Sequence, residues 1–214
     1  AALQADGLPG VPNVDLGGVG GFATDFLAQR PATVLKRREA QLLGGPEREL
    51  LLLTSRDLMI AGHALPGGVA GYLYFEHGWP ADTTVEHFEL KALDRQAGPE
   101  VVLVRRSWAV PGETRVDVLE IYLVRAGTLV RAFAGQVAEH APPIQADATA
   151  KWRLRGRPAT LQIHPATVRG FNPGNVVQLA AAGSAWAPIP WPWAHRGPVT
   201  YRLQGDRWVQ KGRR

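Results

Sequence analysis

Three corners marked by glycine and proline, each followed by a short apolar run, constrain this chain more than any other feature. Gly45-Pro46-Glu47 precedes Leu50-Leu51-Leu52-Leu53, Gly98-Pro99-Glu100 precedes Val101-Val102-Leu103-Val104, and Gly156-Arg157-Pro158 precedes Thr160-Leu161-Gln162-Ile163. Short apolar runs bounded by turn signals are the pattern of buried strands. An aromatic-containing run ending in glycine answers each one: Tyr72-Leu73-Tyr74-Phe75 before Gly78, Ile121-Tyr122-Leu123-Val124 before Gly127, and Tyr201-Arg202-Leu203 before Gly205. The corner glycines recur at intervals of 53 and 58 residues, a loose period that suits β repeats with variable loops. The expected fold is mainly β (a β-rich α+β chain), with repeated strand-pair units forming antiparallel sheet and one or two short helices.

Turn chemistry sharpens this reading. Tyr201–Gln204 and Arg207–Gln210 flank Gly205-Asp206, a two-residue connection whose glycine supplies the positive φ of a type II′ hairpin. Pro111-Gly112 joins a second pair, Val101–Trp108 and Val116–Val124, expected at the centre of the sheet. The clearest helix candidate is residues 32–43, after Pro31 and before Gly44-Gly45, with Val34, Leu35 and Leu42 on one face; a strand is the alternative. Residues 55–65 are ambiguous: Ser55 suits the cap of a short helix through Asp57–Ala61, which Gly62 weakens. Residues 1–22 read as an extended Gly/Pro-rich arm, expected to pack on the body or on a neighbouring subunit. Residues 23–145 read as a β-rich domain with two strand-pair repeats, and 146–214 as a third repeat with a Pro/Trp-rich loop on the same core.

Residues 93–104, Leu93-Asp94-Arg95-Gln96-Ala97-Gly98-Pro99-Glu100 and the run after it, are answered by Val118–Tyr122 and Gly127-Thr128-Leu129. This stretch resembles the FG-GAP/VCBS type of extracellular β repeat, in which an aspartate-rich calcium loop precedes a Pro-Glu turn and a hydrophobic strand. The resemblance covers about 35 residues on motif grounds and implies an exported, non-enzymatic β architecture. Of the calcium loop only Asp94 is kept, and a calcium ion takes six to eight oxygen ligands; no metal and no cofactor are expected.

Two segments carry candidate binding chemistry. In Lys151-Trp152-Arg153-Leu154-Arg155-Gly156-Arg157, strand periodicity puts Lys151, Arg153, Arg155 and Arg157 on one face and Trp152 and Leu154 on the other. Such a stripe holds an anionic polymer, with Lys211, Arg213 and Arg214 adding charge, or is simply a solvated face whose charges discourage sheet-to-sheet pairing. In residues 186–196 alternating prolines favour extended backbone that presents Trp191 and Trp193 on one side, beside His195 and Arg196. The indoles there form a platform for a sugar ring or a partner, or else cap the core. The formal charge of +5 and the sequence pI near 10 permit anionic partners, but aromatic residues are missing from the basic stripe, so nucleic acid is not expected.

Catalytic patterns are absent from the sequence. His63, His77, His87, His140, His164 and His195 show no zinc-site spacing, and His87 with Glu89 is the one local polar pair. Gly183-Ser184 lacks the nucleophile-elbow pattern, and Gly17–Gly21 lacks that of a dinucleotide loop. An enzyme using His87, Glu89 or His195 is the least favoured class. The start at Ala1, without methionine, fits a processed, exported product (periplasmic, outer-envelope or extracellular). The leading expectation is a non-enzymatic structural or accessory subunit of a cell-envelope or extracellular assembly, using the arm to meet its protein partner. The alternative is a binding module for an anionic or carbohydrate polymer.

Overall fold

The structure, a computed structural model, describes residues 19–43, 46–65, 68–91, 93, 101–110, 113–125, 127–156, 159–176 and 186–212. The chain is mainly β, with antiparallel sheets and one α-helix. It divides into two compact units, residues 1–79 with 126–128, and residues 80–125 with 129–214. The division falls within the segment 23–145 expected as one domain.

In the first unit helix α1 (Val19–Gln29) precedes β1 (Val34–Ala40), β2 (Glu49–Thr54), β3 (Asp57–Leu65) and β4 (Val69–Glu76), which form one antiparallel sheet in that order. Val19, Ala23 and Phe26 of α1 bury against Leu50, Leu52, Met59 and Ala61. Two expectations are corrected here. Residues 34–40 are a strand, not the core of a helix, because pairing to the leucine run of β2 outweighs the helix propensity of Lys36–Ala40. Residues 19–22, assigned to the extended arm, are helical, since burial of an i, i+4, i+7 stripe offsets the cost of Gly20 and Gly21. The rest of the arm, 1–18, lies outside the described residues. Residues 57–65 resolve as strand.

In the second unit the strands are β5 (Thr84–Lys91), β6 (Val101–Val110), β7 (Thr114–Arg125), β8 (Thr128–Ala141), β9 (Ala146–Thr149), β10 (Trp152–Arg155), β11 (Thr160–Ile163), β12 (Thr167–Arg169), β13 (Val199–Gln204) and β14 (Arg207–Gln210). They form a six-stranded sheet, β12-β9-β8-β7-β6-β5, and a four-stranded sheet, β10-β11-β13-β14. Leu103, Leu119, Ile121, Phe133 and Val137 from the first meet Leu154, Leu161, Ile163, Tyr201 and Trp208 from the second in one core. Residues of the 146–214 segment thus share a core with the preceding strands of this unit. The turn at Gly205 has φ +61, as the two-residue hairpin requires.

All three apolar runs are strands, but they do not share one pairing rule. β6 and β7 pair directly, as do β11 and β13, whereas β2 and β4 are separated by β3. The β6–β7 pair also lies to one side of its sheet rather than at its centre. The corner residues Gly45, 98–100, 157 and 158, the turn at 111–112, and Asp94 lie outside the described residues. No helix among the described residues is long and apolar enough to cross a membrane.

Candidate functional site

The four-stranded sheet turns Leu154, Leu161, Ile163, Tyr201 and Trp208 inward, so period-two alternation turns the residues between them outward. Two cross-strand rows follow from the register. Arg155 pairs with Thr160, Thr160 with Arg202, and Arg202 with Val209; Arg153 pairs with Gln162 and Gln162 with Thr200. At the hairpin end Gln204 pairs with Arg207. Beyond β14 the Lys211 backbone N–H donates to the Thr200 carbonyl at 2.8 Å, which keeps Lys211 beside the second row. Lys151, Arg153, Arg155, Arg202, Arg207 and Lys211 are all exposed. None of the six side chains is paired with a carboxylate among the described residues. By contrast Arg30, Arg37, Arg56, Arg105, Arg106 and Arg131 all sit in ion pairs.

Unpaired guanidinium groups on a rigid sheet offer charge-assisted, fork-like hydrogen bonds to anionic oxygens. Along a strand, Arg153 and Arg155 lie about 7 Å apart; across the sheet, Arg155 and Arg202 are two strand spacings apart, roughly 10 Å. Thr160, Gln162, Thr200 and Gln204 place neutral donors and acceptors between the charges.

The stripe proposed from the sequence is therefore present for Lys151, Arg153 and Arg155, with Leu154 buried beneath it. Arg157 lies outside the described residues, as do Arg213 and Arg214. Arg202 and Arg207 were not singled out from the sequence, although charge asymmetry points to them. Residues 148–214 carry eleven Lys and Arg against a single acidic residue, Asp206, while residues 1–147 carry thirteen against eighteen. The whole-chain value of +5 averages an acidic part with a strongly basic one.

At the start of β13 the face runs into a cleft of about 600 Å³ whose walls include Trp193, His195, Arg196, Thr200, Gln210 and Lys211. The backbone at Trp191 does not run extended as the prolines suggest. The N–H groups of Ala194 and His195 both donate to the Trp191 carbonyl, at 3.1 and 3.0 Å, closing a turn. This turn lays Trp193 flat on Trp191, centroids 5.0 Å apart and planes 9° from parallel. The two indoles have different roles. Trp191 is 7% exposed and meets Phe171 edge-on in the core, while Trp193 is 41% exposed at the cleft. His195 is half-buried and Arg196 exposed.

Several other polar groups among the described residues have partners within the fold. His87 Nε2 donates to Glu89 at 3.0 Å in a half-exposed pair. His77 is buried, accepting from the Trp79 N–H at Nδ1 and so donating from Nε2 to the Thr54 carbonyl. Glu120, fully buried, accepts from Arg106 at 3.2 Å, Arg131 at 3.0 Å and the Tyr122 hydroxyl at 2.7 Å. Burial, then the Glu120 charge, pushes the Tyr122 hydroxyl well above the ordinary tyrosine range, so it stays a donor. Among the described residues no group of three or more His, Asp or Glu side chains is arranged to hold a metal ion.

Comparison with protein-family models, curated proteins and solved structures finds no match to this chain.

Proposed function

We propose that this chain is a non-enzymatic binding module for an anionic polymer, held on the open face of its four-stranded sheet. The observation that supports this most is the set of six exposed cations, Lys151, Arg153, Arg155, Arg202, Arg207 and Lys211, on and beside one sheet surface, none of them paired with a carboxylate among the described residues. Charges of one sign on a surface raise the local concentration of oppositely charged ligand, and a polymer engages several of them at once by releasing its counterions. In this role an exported accessory protein would be tethered to an acidic polymer of the cell envelope or its surroundings.

The test separates a specific face from net charge alone. One variant replaces Arg153, Arg155, Arg202 and Arg207 with Ser; a second replaces Lys36, Arg38, Arg48 and Arg169, which are exposed elsewhere. Both change net charge equally. Binding to inorganic polyphosphate and to heparin is expected to collapse in the first and to survive largely unchanged in the second. Equal losses in the two variants would leave only non-specific attraction and end the reading.

A further inference from the structure

Resting on the polyanion reading, we infer that the polymer is an anionic glycan, with one sugar ring seated on Trp193 in the cleft and its acidic groups on Arg196, Lys211 and the sheet face. Trp191 covers one side of the Trp193 ring in a parallel stack and fixes its orientation, so the remaining side is a preformed flat surface at the cleft. The C–H face of a pyranose is the natural complement of such a surface, because the negative face of an indole attracts weakly positive C–H groups. A platform already held by the core loses little side-chain freedom on binding.

Two features favour a glycan over a nucleic acid. Single-stranded nucleic acids are bound by aromatic residues spaced along the cationic track, one for each stacked base. Here the outward rows between the arginines carry Thr160, Gln162, Thr200 and Val209, and the aromatic residues Tyr201 and Trp208 of the same strands point into the core. Threonine and glutamine beside arginine suit a chain that alternates hydroxyl groups with carboxylate or sulfate. Thr200 and Lys211 belong both to the sheet face and to the cleft wall, which makes the two surfaces one continuous path.

The experiment compares three probes of equal formal charge on the intact chain: a heparin-derived oligosaccharide, linear inorganic polyphosphate and oligo(dT). The oligosaccharide is expected to bind about tenfold more tightly than polyphosphate, with a change in tryptophan fluorescence. Trp193→Ala should bring it down to the polyphosphate level, leaving polyphosphate affinity as it was, and Trp193→Phe should keep most of the difference. If oligosaccharide and polyphosphate bind equally and Trp193→Ala changes neither, the glycan inference is overturned while the cationic face stands. If oligo(dT) binds most tightly and depends on Trp193, the occupant is a nucleic acid and the inference is again overturned. Failure of all three probes removes the polyanion reading and the inference with it.

Discussion

Arg155 and Arg202 stand on either side of Thr160 in one cross-strand row of the four-stranded sheet, both side chains exposed. Neither makes an ion pair among the described residues, so each is available to an anionic ligand at little cost to the fold. Arg155→Ala and Arg202→Ala are each expected to lower the slope of log affinity against log salt for polyphosphate by about 1. The unfolding free energy should change by no more than about 0.5 kcal/mol, the range typical of surface substitutions. A salt slope unchanged in both variants would place the ligand elsewhere.

The strands of this face were legible because their apolar positions alternate: Leu154, Leu161, Ile163, Tyr201 and Trp208 fall on core positions that leave no second register. The face itself was legible only in part. Arg153 and Arg155 announce themselves by spacing within four residues, whereas Arg202 joins them only through the pairing of β11 with β13, 36 or more residues apart. The same limit explains the helix exchange. Val34–Ala40 is rich in helix formers, and only its partner β2 makes it a strand; α1 contains two glycines, and only the surface over Leu50 and Met59 makes it a helix. The Trp191–Trp193 stack depends on a backbone turn that a run of alternating prolines disguises.

Arg30, just after α1, sets the position of that helix. Its Nε and Nη2 donate to the Asp57 carboxylate at 3.2 and 2.9 Å, Nη2 also reaches Glu76 at 2.8 Å, and the guanidinium lies 4.7 Å from the Tyr74 ring centroid. Asp57 is fully buried while Arg30 keeps 22% of its side-chain exposure. Arg30→Ala leaves a buried carboxylate uncompensated and is expected to destabilise by roughly 3 kcal/mol, near the low end for such pairs. Arg30→Lys should recover only part, having lost the fork. Hydrogen bonding from Arg30 also holds the Glu76 carboxyl below its usual range of 4.5. That contribution is full above 4.5 and is lost as pH falls through the lower folded value, so Glu76→Gln should flatten the acid limb of the stability curve. Urea unfolding of the variants checks both; a loss under 1 kcal/mol in Arg30→Ala would show that the contact does not hold the helix.

Glu139 behaves in the opposite sense. Burial raises its carboxyl above the usual 4.5, with the Gln136 amide, 2.9 Å away, and then His140 opposing the shift. A raised folded value means that the native state holds the proton more tightly than the unfolded chain. The contribution is therefore complete below 4.5 and fades as pH rises through the folded value. Glu139→Gln keeps an acceptor for Gln136 without the charge. It is expected to be at least as stable as the parent at pH 7, and to lose the decline in thermal midpoint above pH 4.5 that this carboxyl causes. Parallel pH profiles for parent and variant would show that Glu139 is not the source of the decline.

Gly156 ties the cationic strand to the rest of its unit. A Cβ there would clash with the Leu93 carbonyl oxygen, and a backbone atom cannot swing aside as a side-chain tip can. Gly156→Ala must shift either the end of β10 or the segment at Leu93. Overpacking of this kind costs about 1–3 kcal/mol, and here the strain falls on the residue directly after Arg155. The variant should lose stability and also bind polyphosphate more weakly at temperatures where it remains fully folded. Gly205→Ala is the useful contrast: its φ of +61 makes alanine unfavourable, by somewhat more than 0.4–1 kcal/mol, yet nothing lies within 4 Å of the new methyl group. Equal stability losses with weaker binding only in Gly156→Ala would tie affinity to the position of β10. Normal binding by folded Gly156→Ala would show that Arg153 and Arg155 need no such precise seat.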